Sequence, residues 1–151
     1  MKKILVSACL LGVSCRYDGK SKPCGAVDAL KEKYQLIPIC PEVMGGLETP
    51  RIPSELKDGR AFRKDGTDIT EKCVKGANEA LRLAEKFGCT AAVLKERSPS
   101  CGSGSIYDGT FTGKVVSGDG IAAALLKRNG IKVFGESQLT ELEEFFKTEK
   151  L

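Results

Sequence analysis

The first fifteen residues, MKKILVSACLLGVSC (1–15), contain the segment that decides the fold. Ile4–Cys9 is a short apolar run without helical periodicity, which indicates a buried β-strand. Two lysines before an apolar run are also typical of a secretory signal, but polar residues and glycine soon interrupt this one. No small-residue cleavage site follows, so we interpret the segment as the first strand of a sheet in a cytoplasmic protein.

Similar apolar runs recur along the chain, and amphipathic segments with helical spacing separate them. The other predicted strands are Leu36–Cys40, Thr90–Leu94 and Ile131–Phe134. The predicted helices are Ala26–Tyr34, Ile69–Phe87, Ile121–Arg128 and a last one that Ser137 caps. Asp-Gly pairs between Leu56 and Thr67 predict a small hairpin, and an extended piece is expected near Phe111–Val116.

This alternation of strands and helices predicts an α/β fold, a three-layer sandwich around a mostly parallel sheet of about four strands. Right-handed crossovers favour the strand order 2-1-3-4. A length of 151 residues fits a single domain, 1–151. No run reaches the length of a membrane span. Lys and Glu alternate on the helices, so the net charge of +4 predicts no stable nucleic-acid complex.

The cysteine and histidine content restricts the chemistry. The chain has seven cysteines and no histidine. Without a secretory signal, a disulfide framework is not expected. The lack of histidine excludes Ser-His-Asp and Cys-His nucleophiles as well as histidine metal ligands. Catalysis must therefore depend on cysteine, carboxylate, Ser, Tyr or Lys side chains, or on a cofactor.

Three cysteines follow predicted parallel strands at their carboxyl ends, which is where such sheets bind ligands. Cys9 ends the first strand, Cys40 ends the second, and Cys101 lies a few residues past the third. We therefore expect the three thiols to converge. Soft sulfur ligands suit iron–sulfur clusters, zinc or copper(I), and the Cys-x-x-Cys pairs typical of structural zinc do not occur in the sequence. A cubane cluster held by three cysteines has one iron free for a substrate.

The other four cysteines have different contexts. Cys73 lies on the apolar stripe of a predicted helix, and Cys89 begins a predicted strand, so both are interpreted as core thiols. Cys15 and Cys24 lie in the first loop. They could be ligands, a redox pair or bystanders.

Polar groups surround the converging cysteines. Glu42 follows Cys40 by two residues, and a carboxylate is the natural general base in a chain without histidine. It could equally be a surface charge. The segment RSPSCGSGS (97–105) offers hydroxyls and backbone amides that can bind an anion or a polar ring, or it is only a loop. Basic residues in the same loops would favour thiolates. They are Arg16, Lys20, Lys22, Arg51, Lys95 and Arg97.

Four blocks of sequence resemble the bacterial thiouracil desulfidase family. They are SACLLGVSCRYDG (7–19), CPEVMGGLETPR (40–51), KDGTDIT (64–70) and KERSPSCG (95–102). The blocks occur in order along nearly the whole chain. Together they identify it as similar to members of that family.

The resemblance implies a Rossmann-like fold and a [4Fe-4S] cluster with the ligands Cys9, Cys40 and Cys101, with Cys15 as an alternative ligand. It implies removal of sulfur from a thiolated pyrimidine base such as 2-thiouracil, giving the oxo base and sulfide without net redox change. The implied partner is a small thiolated nucleobase. A monomer or a small homo-oligomer is expected, without a membrane partner.

The resemblance also implies roles for two side chains near the cluster. Glu42 would be the acid–base carboxylate that deprotonates the attacking water, and Ser98 would orient the substrate, with Ser100 as an alternative in the same motif. Two other kinds of function remain open on the sequence alone. One is a cysteine-based sulfur carrier or thiol redox protein that uses Cys9 and Cys15. The other is a zinc-bound module without this catalysis.

Overall fold

A computed structural model of the protein describes residues 1–149. The strands are β1 (Lys2–Ser7), β2 (Tyr34–Ile39), β3 (Ser54–Lys57), β4 (Arg60–Arg63), β5 (Ala91–Leu94), β6 (Ser105–Tyr107), β7 (Val115–Ser117) and β8 (Lys132–Gly135). The helices are α1 (Gly25–Asp28), α2 (Pro41–Met44), α3 (Thr70–Phe87), α4 (Ile121–Arg128) and α5 (Leu139–Glu149). Short 3₁₀ turns follow β1 at Ala8–Leu11 and α1 at Ala29–Glu32.

The central sheet has four strands in the order β2-β1-β5-β8, and neighbouring strands are parallel. The α/β class and the mostly parallel sheet are therefore confirmed. The order differs in its labels from the expected 2-1-3-4, because the strands of two small antiparallel sheets lie between members of the central sheet along the chain. These small sheets are β3-β4 and β6-β7.

Helices cover both faces of the sheet because successive side chains of a strand point to opposite faces. Ile4 and Val6 of β1 are wholly buried against residues of α1 and α5. Leu5 is buried on the opposite face with residues of α3 and α4. The molecule thus has three layers. In the part of the chain that the structure describes, no helix is long and apolar enough to span a membrane.

Several predicted boundaries were wrong by a few residues, and one of these errors affects the site. β1 ends at Ser7, so Cys9 lies in the following 3₁₀ turn rather than at the end of the strand. The predicted helix Ala26–Tyr34 is the short α1 with a 3₁₀ turn, and Tyr34 already begins β2. Tyr34 pairs with Lys2 in the parallel β1–β2 ladder, so its backbone groups hydrogen-bond within the sheet and cannot also continue the helix.

Two other expectations also need correction. Ser137 does not cap the last helix through its hydroxyl, which hydrogen-bonds to the Glu96 carboxylate instead. The loop between Pro41 and Pro53 contains a helix, α2, that was not predicted. Pro41 at its first position has a backbone angle suited to a helix and no N–H to leave unsatisfied.

Two glycines allow α2 to pack directly on α3. A Cβ atom at Gly45 would collide with the carbonyl of Lys72, and one at Gly76 would collide with the carbonyl of Pro41. Larger residues would push the helices apart. This close approach fixes α2, and with it Glu42, relative to the end of β2.

Candidate active site

A cavity of about 710 Å³ lies at the carboxyl edge of the central sheet, as expected for a parallel α/β fold. Four cysteines line it together with a carboxylate and a hydroxyl. They are Cys9, Cys15, Cys40, Cys101, Glu42 and Ser98. The structure thus brings together the five residues to which the resemblance assigns a role and the alternative ligand Cys15.

Each of the three cysteines expected to converge follows a different strand of the sheet. Cys9 lies in the 3₁₀ turn after β1. Cys40 is the residue between β2 and α2, and its carbonyl accepts a hydrogen bond from the Met44 amide at 2.8 Å. Cys101 lies in a turn beyond β5. Because β2, β1 and β5 are adjacent, their carboxyl ends bring the three thiols to one edge.

The turn that carries Cys101 is fixed on the N-terminus of α4. The amides of Ala122 and Ala123 donate to the Ser100 carbonyl at 2.9 and 3.0 Å, and the Ile121 amide donates to the Pro99 carbonyl at 2.9 Å. These amides belong to the first turn of the helix, where backbone N–H groups have no hydrogen-bond acceptor within the helix itself. The Cys101 loop therefore acts as the cap of α4. Its position is fixed by these hydrogen bonds to α4 and does not depend on a bound molecule.

Cys15 lies between two of the other thiols. The Cys40 thiol donates to the Cys15 carbonyl at 3.8 Å. A hydrogen bond from Cys15 lowers the pKa of Cys9, although burial opposes the change. A hydrogen bond with Cys15 and burial both raise the pKa of Cys40. Cys15 is thus a neighbour of both expected ligands.

The Cys101 thiol is the most enclosed of the cavity thiols. Burial raises its pKa to about 12, while a hydrogen bond with the Ser7 hydroxyl opposes the rise. Ser7 is 2% exposed, and its oxygen accepts the Lys95 amide at 2.8 Å, which joins the ends of β1 and β5. Sequence reasoning missed Ser7. Its position at the carboxyl end of β1 was the available signal.

Glu42 forms a buried ion pair with Arg51. The Arg51 Nε atom donates to Glu42 Oε1 at 3.4 Å, and the arginine side chain is 3% exposed. The same guanidinium donates to the carbonyls of Cys15 at 3.0 Å and Glu48 at 3.2 Å. Burial raises the pKa of Glu42, and the charge of Arg51 opposes the rise. Glu42 is thus a held, partly desolvated carboxylate at the cavity and not a surface charge.

The two candidate hydroxyls of the RSPSCGSGS segment differ in location. Ser98 lines the cavity, and its Oγ accepts the amides of Ser100 and Cys101, both at 3.1 Å. Its hydroxyl proton is therefore free to point elsewhere. Ser100 is 0% exposed, and its Oγ has no hydrogen-bond partner in the part of the chain that the structure describes. Only Ser98 can meet a molecule in the cavity.

The outer wall of the cavity comes from the two small sheets, which the sequence did not connect with the site. Tyr107 and Phe111 of the β6-β7 hairpin line it, as does Glu55 of β3. Five of the six basic residues named from the sequence also line it. They are Arg16, Lys22, Arg51, Lys95 and Arg97.

The remaining cysteines lie apart from the cavity walls. Cys73 and Cys89 are buried in the core, as predicted, and Cys24 is half-buried beside α1. Within residues 1–149, no group of three or more Cys, Asp or Glu is close enough to hold a single metal ion. A set of soft thiols around one cavity, without histidine, fits the larger iron–sulfur cluster rather than a lone ion.

Comparisons with known proteins agree with this geometry. The family model described as 2-thiouracil desulfurase matches residues 4–138. The uncharacterized protein YbbK of Bacillus subtilis (strain 168) is 40% identical over 149 residues, which cover 92% of this chain and 99% of that protein. A solved structure of the [4Fe-4S]-dependent thiouracil desulfidase TudS is 47% identical with a TM-score of 0.92, covering 98% of this chain and 99% of that chain. The family match spans every cavity residue described above.

Proposed function

The chain belongs to the 2-thiouracil desulfurase family, and on that premise we propose that it is a [4Fe-4S]-dependent desulfidase. Its substrate is a thiolated pyrimidine base such as 2-thiouracil, and its products are the oxo base and hydrogen sulfide. The reaction exchanges the sulfur of a thiocarbonyl for the oxygen of water. Both protons of the water leave with the sulfur, so no oxidant or reductant is needed.

One observation carries the proposal: thiols that follow three adjacent strands share a cavity with a half-buried carboxylate. We assign Cys9, Cys40 and Cys101 as the ligands of the cluster. Cys15 is assigned as a neighbouring thiol, because it follows the same strand as Cys9 but lies further along the chain, in the irregular loop beyond the 3₁₀ turn. When bound, the cluster supplies a Lewis-acidic iron with a preference for sulfur, which polarises the thiocarbonyl carbon.

Glu42 is proposed to move the proton of the attacking water. Its Oε1 atom is engaged by Arg51, whereas no hydrogen bond of the described residues engages Oε2. Oε2 is therefore the atom that accepts the proton as the water oxygen bonds to the carbon of the substrate. When the carbon–sulfur bond breaks, the same atom returns this proton to the departing sulfur. It then carries the second proton of the water from the new carbonyl oxygen to the sulfur, which completes hydrogen sulfide.

Ser98 is proposed to orient the base. Its oxygen already accepts two backbone amides, so its hydroxyl is directed to donate to an oxygen or nitrogen of the pyrimidine ring. Replacing Ser98 by Ala removes both this donor and the acceptor that holds the Cys101 turn. Ser100→Ala is the matched control, because its hydroxyl belongs to the same segment but lies outside the cavity.

Other features of the proposal concern the chain as a whole. We propose that residues 1–151 form one domain with a Rossmann-like sheet and that the protein acts in the cytoplasm on a small thiolated nucleobase. It works as a monomer or small homo-oligomer. It forms no stable complex with nucleic acid and has no membrane partner.

The direct test is preparation and reconstitution without oxygen, followed by iron and acid-labile sulfide analysis and an assay with 2-thiouracil. We expect about four iron atoms per chain, the content of a cubane cluster, and equal amounts of uracil and sulfide from the substrate. A protein that binds this much iron but releases no sulfide from any thiolated pyrimidine would contradict the function. A protein that releases sulfide without iron would contradict the role of the cluster.

A further inference from the structure

The β6-β7 hairpin holds an aromatic residue in an unfavourable backbone conformation at the mouth of the cavity. Phe111 has a φ of 59°, in the left-handed region that glycine tolerates and that is rare for a bulky side chain. The hairpin loop contains Gly109 and Gly113 on either side, both with positive φ. Glycine at 111 would therefore suit the turn better than phenylalanine, so the turn itself does not explain the ring.

A carboxylate from the other small sheet holds this conformation in place. Glu55 Oε1 accepts the amide of Gly109 at 3.0 Å and the amide of Phe111 at 3.1 Å. Gly109 is packed so closely that a Cβ atom would approach the Leu56 carbonyl to 2.8 Å. The loop is thus fixed on β3, and the ring of Phe111 is fixed with it.

The position of the ring indicates its use. Phe111 and Tyr107 both line the cavity that contains the thiols. Neither ring pairs with another aromatic ring or a cation among the described residues, whereas the other aromatic pairs lie around Phe146 and Phe145. Phe111 is half-buried, so its face is available to a flat molecule in the cavity.

We propose that Phe111, positioned by Glu55, is the stacking surface for the ring of the substrate and selects planar aromatic bases. This inference rests on the proposed function for the identity of the substrate, but not for the existence of the stacking site. It predicts that the cavity prefers uracil to 5,6-dihydrouracil, which keeps the polar groups but has lost the flat conjugated ring. Both molecules lack sulfur, so the comparison excludes any contribution from metal–sulfur bonding.

The test measures binding of the two bases to the cluster-loaded protein by calorimetry without oxygen. We expect the wild-type protein to prefer uracil by roughly two- to tenfold, the usual additional contribution of an aromatic pair. Phe111→Gly should bring the ratio close to one. The same variant should be at least as stable to heat as the wild type, because glycine relieves the strained backbone. An unchanged ratio in a folded Phe111→Gly protein would overturn the proposal.

Variants at Glu55 test the positioning role. Glu55→Gln keeps an acceptor oxygen for the two amides and should preserve the preference for uracil. Glu55→Ala frees the loop and should reduce the preference although the ring is still present. Equal ratios in the two variants would refute positioning by Glu55. Phe87→Leu is the control for the loss of an aromatic ring elsewhere and should keep the wild-type preference for uracil. Phe87 lies under Lys3 near the start of β1, away from the cavity.

Kinetics separates this inference from the proposed function. In Phe111→Gly, the KM for 2-thiouracil should rise by the factor lost in uracil binding while kcat stays close to that of the wild type, since the ring does not act on the reacting atoms. If the wild-type protein releases no sulfide but prefers uracil through Phe111, the function fails and the stacking site stands. If it releases sulfide and Phe111→Gly leaves both KM and the ratio unchanged, the function stands and the stacking site fails.

Discussion

Two sets of cysteines in this protein are almost equally buried and yet differ in their position relative to the sheet. Cys9 and Cys101 at the cavity are 7% and 6% exposed, and Cys73 and Cys89 in the core are 0% and 6% exposed. The cavity thiols have other thiols, a carboxylate and a lysine as neighbours. The core thiols pack in clusters of apolar side chains, although the charges of Glu42 and Arg51 also act on Cys73.

The comparison shows that exposure alone does not separate a cysteine at the cavity from a cysteine in the core. The position of the cysteine relative to the sheet does. Cysteines that follow β1, β2 and β5 share the edge where a parallel sheet binds ligands, whereas a cysteine on the inner face of α3 replaces a small apolar residue. The same type of side chain thus has two uses, and its place in the topology decides between them.

The largest expected effect is the loss of the cluster when a strand-end thiol is removed. Cys101→Ala should fold but bind almost no iron after reconstitution without oxygen, because its thiol has no substitute in the turn on α4. Iron analysis and the visible absorption spectrum measure this result. A well-folded Cys101→Ala protein with full iron content would break the distinction between the two sets.

Cys15 sharpens the same distinction, because it is a second cavity thiol after β1, further along the chain than Cys9. Cys15→Ala should retain most of the iron bound by the wild type. If it loses iron as completely as Cys101→Ala does, Cys15 is a ligand, and the cluster does not take a single thiol from each of the three strands.

The next largest effect concerns Glu42, which should affect turnover but not the cluster. Glu42→Gln removes the proton acceptor while keeping nearly the same shape. Iron content should remain close to that of the wild type, and kcat for 2-thiouracil should fall by roughly 10²–10⁴-fold, the usual contribution of positioned proton transfer. Undiminished turnover would rule out the role as base, and loss of iron would make Glu42 a structural group.

Arg51 should have a smaller effect, because it acts through Glu42 and the Cys15 loop rather than on the substrate. Arg51→Met should lower kcat by roughly tenfold to a hundredfold, the usual cost of losing hydrogen bonds that involve charged groups, while KM changes little. Arg51→Lys should recover only part of the loss, since an ammonium cannot reproduce the fork that reaches Glu42, Cys15 and Glu48 together. Full recovery by lysine would show that charge alone matters.

The sequence predicted the sheet and the thiol edge because both depend on short-range signals. Apolar runs such as Ile4–Cys9 and cysteines beside them can be identified directly, and the parallel-sheet rule then brings distant residues together. The helix Ile121–Arg128 was also predicted with its observed bounds. These features need no knowledge of how loops fold.

The outer wall of the cavity could not be predicted in this way, because it depends on contacts between loops far apart in sequence. Nothing near Glu55 indicates that its carboxylate holds Phe111, 56 residues away. Arg51 was recognised only as a positive charge, since its pairing with Glu42 depends on how the loop after α2 folds back. Long-range hydrogen bonds of this kind leave no periodic pattern in the sequence.

The smallest expected effect belongs to Cys73, the core thiol whose loss should leave the cluster intact. Cys73 is wholly buried on α3 and packs with Leu56, Ala61 and Ile69 beneath the β3-β4 hairpin. Cys73→Ala should cost about 1–2 kcal/mol of unfolding free energy, because one small buried group is lost. In a domain of this size, the change corresponds to a fall in Tm of roughly 2–8 °C.

Cys73→Val is the companion variant, because it restores apolar volume at the same place. It should be at least as stable as Cys73→Ala, and both should match the wild type in iron content and in kcat for 2-thiouracil. Burial raises the pKa of the Cys73 thiol to about 11, but it raises that of Cys101 as well, so the iron content and not the pKa distinguishes the two thiols. If either variant folds but binds less iron, the core thiol supports the site through α2 and α3. Burial among apolar residues would then no longer be enough to mark a cysteine as purely structural.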